Sequence, residues 1–158
     1  MKVREGFVYH IRDEYFDLVR GYGVKGKTQN GKTFPALCCC KDIENGVLWM
    51  IPSSTNIHKY KAIAENELRK YGDCISLVFG VFDTKEVVFQ VQAAFPILRK
   101  HVLHPHTRRG KMLRVECELS NYVRKCFEKI MELNRYGVKC TLTDVDEIKK
   151  LLDSEKLA

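Results

Sequence analysis

Val47-Leu48-Trp49-Met50-Ile51-Pro52-Ser53-Ser54-Thr55-Asn56-Ile57-His58-Lys59-Tyr60-Lys61 holds an apolar run, a proline, three hydroxyls and a polar helix start. The apolar run reads as a buried strand. Pro52 has no N–H to give to a ladder, so the strand is expected to stop there. Thr55 or Asn56 is placed to cap a helix. Ile57, Tyr60, Ile63 (with Ala64) and Leu68 recur at helical spacing as far as Gly72, which ends the helix.

The chain on either side is built from similar short units. A strand over 33–41 and a turn over 42–46 make a hairpin with the quoted strand. Further upstream, 6–11 reads as a strand with Phe7, Tyr9 and Ile11 on one face. A short helix over 13–20 follows, burying Tyr15, Phe16 and Val19. The loop over 21–31 carries Gly21, Gly23, Gly26 and Gly31, with Asn30-Gly31 as a turn signal. Its Gly21-x-Gly23-x-x-Gly26 spacing matches a dinucleotide fingerprint by letter only, because the βαβ frame is missing.

Downstream, strands over 74–82 and 86–92 flank a turn at 83–85. Residues 93–97 lead into a further strand or turn over 99–103, and 104–110 reads as a polar loop. A long helix over 116–136 carries Leu119, Val123, Cys126, Phe127, Ile130 and Leu133, and Gly137 ends it. Asp144 with Glu147 gives a cap-like start to a last helix bearing Ile148, Leu151 and Leu152. Strands come first and helices dominate the C-terminal half. The expected fold class is α+β, a small, curved antiparallel sheet packed with helices. The 158 residues suit one domain with one core, spanning 1–158.

Composition narrows the function classes. The apolar fraction of 45% is ordinary for a globular protein. No stretch approaches the roughly 20 apolar residues that span a bilayer, and Met1 to Glu5 lack a signal-peptide run. A cytoplasmic protein without a membrane partner is expected. Of seven cysteines, Cys38, Cys39 and Cys40 are consecutive. Strand alternation puts Cys38 and Cys40 on one face and Cys39 on the other. No Cys-x-x-Cys pair exists, so these read as free core thiols rather than zinc ligands.

The net charge is +7 and is unevenly spread. From Leu18 to Lys41 no acidic residue occurs, whereas Arg20, Lys25, Lys27, Lys32 and Lys41 do. From Val87 to Val115 again none occurs, whereas Arg99, Lys100, Arg108, Arg109, Lys111 and Arg114 do. Two long windows of one sign point to a polyanion, and to RNA in particular once the hydroxyl cluster is considered. Ser53, Ser54 and Thr55 reach a strand end just where a helix N-terminus offers N–H groups to an anion. His58, Lys59 and Lys61 follow within a turn, although cations there oppose the helix dipole and call for a compensating anion.

Such a set suits RNA scission. The ribose 2′-OH is the nucleophile, so the protein need only move protons and stabilise phosphoryl charge. The competing assignment is a plain helix cap followed by a solvated turn. Arg108, Arg109 and Lys111 suit phosphate contacts that position RNA, or a flexible basic loop. Tyr22 is a better stacking candidate than Trp49, which alternates within an apolar strand. His104 and His106 lack a nearby carboxylate to complete a metal site, and read as loop or surface histidines. No metal and no cofactor is expected.

Leu48-Trp49-Met50-Ile51-Pro52-Ser53-Ser54-Thr55, Lys59-Tyr60-Lys61, Lys70-Tyr71-Gly72-Asp73-Cys74 and Gln92-Ala93-Ala94-Phe95-Pro96-Ile97 together resemble the ToxN/AbiQ superfamily, the toxins of type III toxin–antitoxin systems. The CptN branch is the most similar, and the resemblance runs from Phe7 to Leu152. It implies a compact, strongly curved antiparallel sheet like that of MazF and Kid toxins. It also implies a metal-independent endoribonuclease whose antitoxin is a repeat RNA folded as pseudoknots. The toxin processes that RNA and is then held inactive in a closed toxin–RNA assembly. Phage defence or plasmid maintenance in bacteria is the implied role.

By the resemblance, the family's hydroxyl pair falls on Ser54 and Thr55, with Ser53 adjacent, and its catalytic lysine before the first core strand falls on Lys32. A second lysine, two residues past the hydroxyls in some members, falls on Ile57. Lys59 is its substitute, with His58 beside it. An upstream tyrosine of some members falls at Thr28. Tyr22, Lys25, Lys27, Lys61, Arg99, Lys100, Arg108, Arg109 and Lys111 are the expected RNA contacts. The bland alternatives are a non-catalytic RNA-binding module and a domain whose basic face meets an acidic protein.

Overall fold

The computed structural model describes residues 2–24 and 35–157. Lys25, Lys27, Thr28, the Asn30-Gly31 turn and Lys32 lie outside the described residues. The chain runs through β1 (Val8–Ile11), α1 (Asp13–Leu18), β2 (Pro35–Asp42), β3 (Val47–Ser54), α2 (Ile57–Tyr71), β4 (Leu77–Phe82) and β5 (Lys85–Gln90). It continues through β6 (Phe95–Ile97), β7 (Val102–Pro105), β8 (Thr107–Arg108), β9 (Lys111–Met112), α3 (Cys117–Arg135) and α4 (Val145–Lys156). The main sheet has the order β4-β5-β3-β2-β1-β7, with β6 added beside β3. Each of its ladders is antiparallel.

β3 organises the sheet. One edge pairs with β2 from Val47 to Pro52. The other pairs with β6 at Leu48 to Met50, then with β5 at Ser53 and Ser54. The change of partner falls on Ile51 and Pro52. A residue without an N–H therefore sits where that edge has no ladder partner. This overturns the expected stop at Pro52: the strand continues, and Ser53 and Ser54 are ladder residues.

Alternation also fails at the cysteines. Cys38 pairs with Met50 and Cys40 with Trp49, so Cys39 is the extra residue of a β-bulge. Cys38 and Cys39 are both buried, and Cys40 is half-buried. Burial pushes the Cys38 thiol up to about 12 and raises that of Cys39 as well. Such thiols are unreactive core residues.

The sheet curls until its two ends touch. β4 and β7 stand at opposite ends of the strand order. Yet the Phe82 ring lies 5.9 Å from that of His106, just past β7. Asp83, in the β4–β5 turn, contacts both His106 and Arg108. Ladder partners share a face, as do residues two apart along a strand. By that rule Phe82, Gly80, Phe89, Ser53, Ile51, Leu37, Pro35 and His10 all lie on one face, the inner side of the curl.

α3 packs on this inner face. Phe127 meets Trp49 with ring centroids 5.3 Å apart. Leu119 fills the space beside Gly80, where a Cβ would come within 2.5 Å of its Cδ2. α2 covers the outer side of the β4–β5 hairpin, burying Tyr60 and Ala64 against Leu77 and Val88. Ile63 and Leu68, expected in that stripe, are 36% and 49% exposed. α1 packs Tyr15 and Phe16 against Phe95, and the Tyr15 hydroxyl donates to the Pro96 carbonyl at 2.8 Å.

Local chemistry explains the remaining boundaries. Asp83 and Thr84 both have positive φ, 51° and 65°, the signature of a two-residue hairpin turn that hands Lys85 to the next strand. Arg109 and Gly110 do the same between β8 and β9, with φ of 52° and 79°. The stretch expected as a polar loop over 104–110 is thus a strand end and a small hairpin. Glu116 caps α3, its carboxylate accepting from the N–H groups of Glu118 and Leu119 at 3.0 Å. Asp144 makes no side-chain cap on α4. Its own N–H donates instead to the Tyr22 carbonyl at 2.8 Å.

Candidate active site

Strand β3 carries Ser53 and Ser54 to the junction with α2, both half-buried, opposite Phe89 and Val88 of β5. Ser53 lies on the inner face with Phe89. Ser54 lies on the outer face, where its hydroxyl accepts the Asn56 N–H at 3.1 Å. Thr55 and Asn56 are exposed. Thr55 offers its carbonyl to the Ile57 N–H at 2.9 Å. Asn56 holds the N-cap position but forms no side-chain cap. A hydroxyl thus steadies the linker, while the N-cap side chain supplies no acceptor to the first turn of α2.

That turn keeps its unfavourable charge. It holds no acidic residue, and His58, Lys59 and Lys61 are all exposed. Arg69 and Lys70 sit in the last turn, where cations complement the dipole. The helix is matched to its field at one end and mismatched at the other. Among these residues Lys59 has one aromatic neighbour, its Nζ standing 5.3 Å from the Tyr60 ring centre.

The other expected RNA contacts are dispersed. Arg109 and Lys111 are exposed on the β8–β9 hairpin, and Arg108 pairs with Asp83 at 3.2 Å. Lys100 is tied to α4 through Glu155 at 3.0 Å, and Arg99 is exposed beside it on the 3₁₀ turn before β7. Tyr22 is half-buried against the main core, whereas Trp49 is a core residue, 4% exposed.

The structure also assembles a group that sequence reasoning missed. His10 is a ladder partner of both Pro35 and His104. Its Nε2 lies 2.9 Å from Nδ1 of His106, and its ring centroid lies 4.6 Å from that of His104. His106 Nε2 stands 3.4 Å from Asp83 Oδ2. A carboxylate only accepts, so a neutral His106 carries its proton on Nε2, and His10 Nε2–H then donates to His106 Nδ1. The one legible signal was the spacing of His104 and His106, which strand alternation puts on one face. The missing carboxylate, Asp83, comes from a different hairpin.

The fourth strand-region histidine behaves differently. His101 is buried, and its Nδ1 accepts the Leu98 N–H at 3.0 Å. Burial, helped by the neighbouring Lys100 charge, pulls its pKa down to about 4. It is a neutral structural residue. Among the described residues no three His, Cys, Asp or Glu side chains converge on a point suited to a metal ion.

Next to Pro35, one ladder step past the Ala36–Pro52 pair, comes Ser53. His10 and Ser53 therefore face the same way two strands apart, about 10 Å at the usual strand spacing. Two surface depressions among the described residues lie elsewhere, one around Trp49 and Lys149, the other between Tyr71 and Tyr136. Neither includes a sequence-predicted site residue. An extended polyanion is bound along open surface, so the chemistry of the inner face outweighs the size of those hollows.

No protein-family model and no curated protein sequence matches the chain. The chain is similar to the solved structure of AbiQ, described as a lactococcal anti-phage endoribonuclease belonging to the type III toxin–antitoxin system. The likeness has a TM-score of 0.70 at 14% identity, covering 95% of this chain and 98% of that one. The expected architecture, a curved antiparallel sheet packed with helices, is thus the AbiQ fold, with a sheet whose ends meet through side chains and not through a closing ladder.

Proposed function

We propose that this chain is a single endoribonuclease domain of the ToxN/AbiQ superfamily, of the CptN type, and acts as the toxin of a type III toxin–antitoxin system. The observation that carries the reading is the pairing of Ser53 and Ser54 with β5 directly before an α2 first turn that holds cations and no acid. The likeness to AbiQ over nearly the whole chain supports it. In this reading the 2′-OH attacks the adjacent phosphorus, leaving a 2′,3′-cyclic phosphate and a free 5′-OH. Hydroxyls and amide N–H groups at the strand–helix junction hold the phosphoryl oxygens, and Lys32, His58 and Lys59 supply charge and protons. Side chains and amide groups of these kinds can supply each part of the step, and the metal-independent mechanism belongs to this reading.

The partner is a repeat-encoded RNA folded as pseudoknots, which the toxin trims and which then holds it in a closed toxin–RNA assembly. Cellular or phage RNA is the target of the free toxin in the bacterial cytoplasm. Purified protein is expected to cut RNA in EDTA, to leave cyclic phosphate ends, and to spare a strand with a 2′-deoxyribose at the cut. Loss of all cleavage in EDTA with rescue by magnesium would sink the metal-free step. Tight RNA binding without cleavage would move the protein to a non-catalytic RNA-binding module.

A further inference from the structure

We propose that His104 is the proton-accepting base of this RNA scission, with His10, His106 and Asp83 as its positioning residues. The inference rests on the ribonuclease reading above and adds to it a residue from a different part of the chain. Three of the five histidines in the sequence converge here, from β1, from β7 and from the segment after it. Each has a defined hydrogen-bonding role. The Pro105 carbonyl, which can only accept, lies 2.9 Å from His104 Nδ1, so that nitrogen carries the proton. Neutral His104 therefore bears its lone pair on Nε2, and the residue is exposed. A histidine whose second nitrogen is fixed by a carbonyl is poised as a base.

Behind it, the His10 ring lies against His104, His10 donates to His106, and His106 donates to Asp83. Arg108 holds the other oxygen of Asp83. This chain fixes the ring on which His104 rests and places a negative charge on its far side. Among the described residues, the groups seen to face the imidazole are the His10 ring and the Pro105 carbonyl, with His106, Asp83 and Arg108 one contact further away. By ladder parity His104 shares the inner face with His10, Pro35 and Ser53. His104 and Ser53 stand three strands apart, about 14 Å along the sheet.

In the step, His104 Nε2 takes the proton of the 2′-OH while the O2′–P bond forms and the P–O5′ bond breaks. The departing 5′ oxygen takes a proton from the His58–Lys59 pair of the junction, which regains it from solvent, and His104 later releases its own to solvent. No electron is gained or lost. His101, buried and bonded through Nδ1 to Leu98, has no part in this.

The test uses the full chain and a mixed-sequence oligoribonucleotide that the wild type cuts. His104→Gln is on the surface, so it leaves the core in place. It is expected to cut at least 100-fold more slowly, the range general-base loss produces, while holding the all-2′-deoxy oligonucleotide as tightly as before. Wild-type cleavage should decline as acid protonates the base, and His104→Gln should lose that decline. Added imidazole should restore part of the rate to His104→Ala. His106→Asn and Asp83→Asn should each slow cleavage several-fold and displace the acid limb. A His104→Gln rate within about twofold of wild type overturns the base while the ribonuclease reading stands. If the wild type cuts no RNA, both fall together.

Discussion

Two regions of this molecule are built in opposite ways. The strand–helix junction over 53–61 is continuous in sequence and open in space. Its hydroxyls and cations are adjacent letters, yet of their side chains only the Ser54 hydroxyl is hydrogen-bonded among the described residues, accepting the Asn56 N–H. The histidine group is scattered in sequence and tightly joined in space: His10 bonds to a residue 96 positions away. Motif reading finds the first kind of region and passes over the second. The difference matters because a junction of hydroxyls and lysines is well supplied with charge and donors, but a group that takes a proton needs a fixed tautomer. Only the histidine group displays one.

The comparison can be broken at either side. The largest effect is expected from removing both junction hydroxyls, Ser53→Ala with Ser54→Ala. Cleavage should drop by about 100- to 1,000-fold, as for loss of an oxyanion donor, with thermal stability moving by no more than about 1–2 kcal/mol. An unchanged cleavage rate in the double variant would leave the histidine face as the whole site.

Next is Gly23→Ala. Gly23 has φ of +81°, and a Cβ there would lie 2.2 Å from the Leu142 carbonyl oxygen. Neither backbone can yield easily, because the Asp144 N–H holds the Tyr22 carbonyl. A loss of about 2–3 kcal/mol is expected in denaturant unfolding. Since this glycine leads the chain out toward Lys32, a fall in cleavage beyond the fall in folded fraction would tie that segment to the site.

The buried His101 separates structural from functional histidines. Its folded pKa of about 4 lies below the ordinary 6.5, and desolvation is the main cause. The unfolded chain therefore takes up a proton that the native protein refuses. Stability is full above pH 6.5 and is lost as pH falls toward 4, by roughly 3 kcal/mol at most. Melting temperatures across that window should drop less in His101→Gln than in wild type. Equal slopes in the two proteins would assign the loss to other groups.

The smallest effect concerns single cations. Lys61→Ala or Lys111→Ala should weaken RNA binding only a few-fold, equally for all sequences. Each should lower the salt slope by about 0.7 if it meets a single-strand phosphate. Filter binding at several salt concentrations reads this directly, and a slope unchanged by either variant removes that residue from the interface.

Much of this architecture was legible. The residues of α2 were readable to the last position, because Ile57 to Tyr71 carries helical spacing and Gly72 adopts the left-handed turn that ends it. The β2–β3 hairpin was readable from its turn. Three features were not. Pro52 stays inside β3 because the neighbouring edge happens to change partners there. Cys39 bulges because β2 is one residue longer than its partner between two fixed pairs. Asp144 leaves its cap unmade, and its N–H is taken by Tyr22 across the fold. Each outcome depends on the strand or loop alongside, which local propensity does not encode.

By itself, then, the amino-acid order determined the helices, the β2–β3 and β4–β5 hairpins, the core stripe of α3, the acid-free basic windows and the hydroxyl-rich junction, but not the small hairpin read as a polar loop over 104–110. Those follow from periodicity, turn chemistry and charge, which act over a few residues. Only the tertiary structure decided that the sheet curls until Asp83 meets His106, and that His10, His104 and Ser53 share one face. Twist and curl accumulate over the strands of a sheet, and hydrogen bonds between distant side chains form only once that accumulation brings them within about 3 Å.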